Sequence, residues 1–98
     1  MMDAYKFEWD KRKAESNFRK HNVTFEQAKT VFNDENALIF YDDFHSDDED
    51  RFIIIGKDLQ RLELRVCHCY RDGDSIIRII TARTANKSEI EMYRRQSL

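Results

Sequence analysis

Eight of the ten basic residues in the second half of the chain are arginine, and several fall inside segments that read as strands. The planar guanidinium fork matches the oxygens of a phosphate, so this half carries a candidate phosphate-binding surface. The competing reading is a solvated sheet face on which the same arginines pair with acids such as Glu63 and Asp74. Residues 1–50 hold 7 Lys and Arg against 13 Asp and Glu, whereas residues 51–98 hold 10 against 6, so a formal net charge of −2 hides a negative half and a positive half. The length of 98 residues suits one domain covering 1–98. A content of 41% hydrophobic and 12% aromatic residues supports a packed core despite 37% charged residues.

Two further clusters suggest chemistry less directly. Cys67, His68 and Cys69 are adjacent, yet in a strand both thiols point to one face and His68 to the other, and no second Cys or His pair completes a zinc site. Thiols two apart on a strand do not bridge easily, so no disulfide framework arises either. No metal and no cofactor are expected. The acidic run 42–50 resembles a calcium loop only in charge, because no Gly occupies the position of the sharp turn, and it reads as a solvated, mobile loop. No apolar run approaches the roughly 20 residues of a membrane span, and the amino terminus lacks a signal-peptide core. A cytoplasmic protein with no membrane partner is the expectation.

The elements that must position these groups follow from periodicity. Tyr5 to Trp9 alternates aromatic and charged residues as a short strand does. Asp10 caps a helix predicted over Lys11 to His21, with Ala14, Phe18 and His21 on one face and Asn22 as a left-handed terminator. Thr24 and Gln27 read as a capping box for a second helix, with Val23 and Ala28 as its staple and Phe25, Ala28, Val31 and Phe32 as its apolar stripe. Four strands are then predicted over 37–41, 51–57, 62–70 and 75–82, with Asp72-Gly73-Asp74 as a hairpin turn, and Asn86 with Glu89 opens a terminal helix carrying Ile90 and Tyr93. The order β-α-α-β-β-β-β-α implies an α+β fold, an antiparallel sheet with helices packed on one face. Simple alternation puts His68 with Leu64 and Val66, Arg78 with Ile76 and Ile80, and Arg83 with Ile77 and Ile79. An arginine on a buried face must meet an acid or an anion, since an unpaired desolvated charge costs several kcal/mol.

Phe7-Glu8-Trp9-Asp10, Lys13-Ala14, Asn17, Lys20-His21 and Val23-Thr24-Phe25-Glu26 with Ala28 resemble the opening signature of the BrnT family. Glu49-Asp50-Arg51-Phe52 with Gly56, then Arg78 to Arg83, and Ala85, Glu89 and Tyr93 continue the resemblance in order over most of the chain. Asn22 stands where many relatives have Gly, and Thr81 where Ser is usual. The resemblance implies a RelE-like fold and the toxin of a type II toxin-antitoxin system. It further implies an endoribonuclease that cleaves RNA and halts translation, neutralised by a BrnA-type antitoxin through which alone DNA is contacted.

A metal-free ribonuclease of that kind needs a base for the 2′-hydroxyl, an acid for the leaving 5′-oxygen and fixed positive charge for the phosphorane. Arg78, Arg83 and Lys20 are the phosphate candidates, with Arg51 and Arg71 as further substrate contacts. His21 and His68 titrate nearest neutrality and are the first acid–base candidates, with Glu49 as an alternative base if Arg51 does not tie it up. Each has a structural alternative. His21 can cap a helix terminus, His68 can be a neutral core residue, Lys13 can be a solvated helix residue, and Glu49–Arg51 can be a local ion pair. A non-catalytic RNA- or antitoxin-binding module of the same fold is the alternative function.

Overall fold

The computed structural model describes residues 5–96, and its elements are β1 (Lys6–Glu8), α1 (Lys11–His21), α2 (Phe25–Lys29), β2 (Leu38–Tyr41), β3 (Phe52–Lys57), β4 (Glu63–Arg71), β5 (Ile76–Thr84) and α3 (Lys87–Arg95). A 3₁₀ turn over Thr30–Asn33 extends α2. The α+β class and the element order agree with the sequence reading. The five strands form one sheet in the order β1-β5-β4-β3-β2, in which β1 runs parallel to β5 and every other pair is antiparallel.

The caps act largely as the sequence proposes. Asp10 accepts from the Lys13 N–H at 3.0 Å to start α1, and Asn22 ends it in the left-handed region at φ 56°. Asn86 and Glu89 form both halves of a capping box on α3. At α2 only half of the box forms. Thr24 Oγ1 accepts from the Gln27 N–H at 2.9 Å, but the Gln27 amide turns away to donate to Asp58 Oδ2 at 2.8 Å.

One side of the sheet packs Ile54, Leu64, Val66, Ile79 and Ala82 against Val23, Phe25, Ala28 and Val31 of the α2 region. The other side holds a smaller core of Ile53, Ile55, Cys67, Cys69 and Ile80, closed by Tyr93 of α3. Packing on one face therefore describes α1 and α2, while α3 lies over the opposite face. Both strand faces are apolar enough to need cover, which is the physical reason for the division.

A bulge changes the parity of β5. Cys67 pairs with Thr81 and His68 with Ile79, so Ile80 is an extra residue in the ladder. Residues beyond it turn over. Arg83 pairs with Arg65, on the face of Cys67 and Arg71, and not on the helix-side face with Ile77 and Ile79 as alternation alone suggests. Arg78, opposite Cys69, is on that same face, so the bulge brings together two arginines of opposite sequence parity.

Asn17 fixes α1 to this sheet. Because β1 ends at Glu8, the outer edge of β5 beyond Arg78 has no strand partner. The buried Asn17 amide supplies one: Nδ2 donates to the Ala82 carbonyl at 2.8 Å and to the Val23 carbonyl at 3.0 Å, and Oδ1 accepts from the Ala82 N–H at 3.0 Å. The expected buried stripe of α1 is displaced accordingly. Asn17 is its buried residue, whereas Phe18 is 48% exposed and His21 faces solvent. Replacing Asn17 by Ala orphans three buried backbone groups at once, and urea denaturation should show a loss of about 2–4 kcal/mol. A change within experimental error would contradict the clamp.

Candidate active site

α1 crosses the edge of β5 at the bulge, and the side of the helix carrying Lys13, Ser16, Asn17, Lys20 and His21 faces Ile80 and Thr81. Arg51, at the end of the β2–β3 loop, closes the far side, leaving a cleft of about 330 Å³. Four of its lining groups are basic, and no carboxylate lines it. Lys13, Lys20 and His21 make no ion pair among the described residues.

The loop that delivers Arg51 is built at its base. Asp42 is 5% exposed, its N–H donates to the Arg51 carbonyl at 2.9 Å, and Oδ2 meets His45 Nδ1 at 3.0 Å. Ser46 Oγ donates to the Asp42 carbonyl at 2.6 Å and accepts from the Arg51 N–H at 3.0 Å. The acidic run is thus solvated at its tip and anchored at its root. Arg51 Nε stands 3.5 Å from Glu49 Oε2, an ion-pair distance that leaves this N–H without a hydrogen bond. Glu49 Oε1 accepts from Arg71 at 2.8 Å, so Arg71, Glu49 and Arg51 form a chain. Burial opposes ionisation of Glu49, but the hydrogen bond and charge of Arg71, with Arg51 behind it, outweigh that and hold its carboxyl below the usual range. A carboxylate so occupied is a weak base.

The strand arginines are similarly neutralised. Arg78 donates to Glu8 at 2.8 Å directly across the β1–β5 pair. Arg83 grips Glu89 through both terminal nitrogens at 2.9 and 3.0 Å, and Arg65 Nε reaches the same carboxylate at 3.1 Å. Desolvation raises the Glu89 pKa, yet the Arg83 hydrogen bonds and the Asn86 N–H more than offset it and keep the group low. Glu89 therefore starts α3 and fastens it to β4 and β5.

His68 belongs to neither group. It lies on the helix-side face, fully buried, with its ring edge-on to Phe32 and Tyr70 at centroid distances of 4.9 and 5.2 Å. Nε2 shares a 3.2 Å hydrogen bond with the Tyr70 hydroxyl, and Nδ1 has no partner of good geometry. Burial pushes its pKa down to about 4, with the Val66 backbone offsetting only part. It is a neutral core histidine, one of the two readings its parity allows. On the arginine face, Cys67 and Cys69 are buried free thiols, and burial pushes Cys67 up to about 11.

Of the residues singled out in the sequence, Lys20, His21 and Arg51 converge on the cleft, Glu49 reaches it through its ion pair with Arg51, and Arg71 lies one step further along that chain. Arg78 and Arg83 share its sheet face with their forks filled, and His68 is behind the sheet. Sequence reasoning read Lys13 as a solvated helix residue, did not name Ser16, and named Asn17 and Thr81 only within the resemblance. The signal for the first three was present in α1, because positions 13, 16, 17 and 20 fall on one side of a helix.

A small α+β domain whose helix and sheet edge enclose a cationic cleft is suited to handling a nucleic-acid backbone. The family model described as a ribonuclease toxin, BrnT, of type II toxin-antitoxin system matches residues 9–89, and the chain belongs to this family. Its fold is similar to that of the Brucella abortus ribonuclease toxin BrnT, known from a crystal structure at 1.1 Å. The TM-score is 0.63 and the identity 22%, over 85% of this chain and 99% of that one. No match was found among curated proteins. At the level of the family, RNA is the target and an antitoxin the partner.

Burial of His68 makes stability depend on pH in a defined window. The unfolded chain takes up this proton below about pH 6.5 while the folded chain refuses it until about pH 4, so stability falls on acidification between these values, by roughly 3 kcal/mol in total. The stabilising effect of the low Glu49 and Glu89 carboxyls is fully present above the ordinary carboxyl value of 4.5 and is lost as the pH falls below it. Urea midpoints measured from pH 7 to 4 should flatten in His68→Phe; an unchanged slope would contradict the assignment.

Proposed function

We propose that the protein is a metal-independent endoribonuclease that cuts RNA by attack of its own 2′-hydroxyl, and that a BrnA-type antitoxin neutralises it in the cytoplasm. The observation that carries this reading is the cleft of Lys13, Lys20, His21 and Arg51, lined by basic groups without a carboxylate. A dianionic phosphorane needs fixed cations at the point where charge develops, and a site that already holds them needs little rearrangement.

In this reading His21 takes the proton of the 2′-hydroxyl as O2′ bonds to phosphorus. The P–O5′ bond then breaks, the Lys20 ammonium returns a proton to the leaving oxygen, and a 2′,3′-cyclic phosphate remains. Arg51 and Lys13 neutralise the non-bridging oxygens, and Arg51 lines the cleft while sharing its carboxylate partner, Glu49, with Arg71. Arg83 anchors α3 through Glu89, and Arg78 ties β1 to β5 through Glu8, so both support the basic face from behind filled forks.

One observation favours the alternative of a non-catalytic module: Arg71, Arg78 and Arg83 are each paired with a carboxylate of the chain itself. Cleavage assays separate the two. Antitoxin-free protein should cut RNA in EDTA and leave cyclic phosphate ends. His21→Ala should lower the rate about 10²-fold or more, while Arg83→Ala should chiefly lower stability. Loss of cutting on chelation, or full activity in His21→Ala, would overturn the mechanism, and tight RNA binding without cleavage would favour the module.

A further inference from the structure

A larger cleft, about 550 Å³, opens at the other end of the Arg71–Glu49–Arg51 chain, where β4 finishes and β3 begins. It opens at the end of the sheet and is lined from the helix side by Tyr5, Phe52 and Tyr70, from the arginine face by Glu49, Cys69 and Arg71, and by Asp50 and Asp74. The proposed ribonuclease site uses none of the three rings. From the geometry we infer that this cleft receives an unstacked guanine base of the RNA strand whose phosphate occupies the cationic cleft, an inference that rests on the ribonuclease reading.

Distance supports a shared ligand. Thr81 of the cationic cleft lies level with Cys67, and Arg71 ends β4 four residues further on, a separation of about 13 Å at the rise of a strand. A short stretch of unstacked RNA covers such a span, and Glu49 bridges the arginine that lines each cleft. Shape supports a base. Aromatic rings that hold splayed bases in single-stranded recognition need to be exposed on one side and fixed on the other. Tyr5 is 38% exposed, Phe52 and Tyr70 are half-buried and meet edge to face at 5.4 Å, and the Tyr70 hydroxyl is held by buried His68 at 3.2 Å. The core histidine thereby orients a ring of the cleft.

Polar chemistry selects among the bases. Asp50 Oδ1 accepts from the Tyr41 hydroxyl at 3.0 Å, and its other oxygen and the Asp74 carboxylate are acceptors of the kind that two adjacent donors would satisfy. Guanine is the base with two neighbouring N–H donors on its Watson–Crick edge, and its O6 accepts from a guanidinium. Arg71 can supply that donor, because one terminal nitrogen holds Glu49 while 44% of the side chain remains exposed.

The test compares binding of 5′-GMP, AMP, CMP and UMP to the full chain by NMR, following ring and backbone signals; the shared phosphate cancels in the comparison. GMP should bind at least about fivefold more tightly than the others and shift the Tyr5, Phe52 and Tyr70 rings. Tyr5→Ala and Asp74→Asn, both surface changes, should remove that preference. Equal binding of the four nucleotides, shifts confined to another surface, or an unchanged preference in both variants would overturn the inference. Cleavage mapping keeps the two readings apart. RNA cut with no bias towards guanosine, with the four nucleotides bound alike, removes the base site and leaves the ribonuclease. GMP selectivity in a protein that cuts no RNA removes the ribonuclease and leaves the base site.

Discussion

β1 is three residues long, and β5 is nine. The outer edge of β5 must therefore satisfy its backbone beyond Glu8 without a strand, and the Asn17 amide does so by donating to and accepting from Ala82. Everything proposed for the cleft depends on that clamp. It sets α1 across the sheet edge at the height of the bulge, and the turn of helix on either side of Asn17 carries Lys13, Lys20 and His21. A helix packed by an apolar stripe would be free to roll by a fraction of a turn; one pinned by three hydrogen bonds to fixed backbone is not.

The bulge at Ile80 is the second constraint, and it acts on charge. By turning β5 over it gathers Arg65, Arg71, Arg78 and Arg83 on one face. Such a face would repel itself unless acids were interleaved, and Glu8, Glu49 and Glu89 are drawn from β1, a loop and α3 to do this. The result is a sheet face that is basic by composition and neutral by pairing. Arg51 differs because it lines the cationic cleft and meets its carboxylate, Glu49, only at 3.5 Å, and the lysines of α1 differ because they stand off the sheet. Positive charge is thereby concentrated at one edge, in a cleft that no carboxylate lines.

Much of this was legible in the residues. The alternation of Tyr5 to Trp9, the caps at Asp10, Asn22 and Asn86, and the Asp72-Gly73-Asp74 turn are local signals, and local backbone preferences decide them. The parity of Arg83 was not legible, because a bulge depends on how two strands meet and leaves no mark on either alone. The location of the candidate site was half legible. Lys20, His21 and Arg51 were named for their chemistry, but the choice between Arg51 and Arg83 turns on which carboxylate reaches which fork. His68 shows the limit from the other side: its parity with Leu64 and Val66 put it in the core, and only its side-chain type suggested catalysis.

The central claim is that the scissile phosphate sits between α1 and the bulge, and locating that phosphate tests it most directly. A structure of the protein with a short RNA blocked by one 2′-O-methyl group should show the phosphate next to the methylated sugar within hydrogen-bond distance of Arg51 and Lys20, with His21 towards the blocked oxygen. A phosphate held instead by Arg78 or Arg83, with Glu8 or Glu89 displaced, would contradict the account.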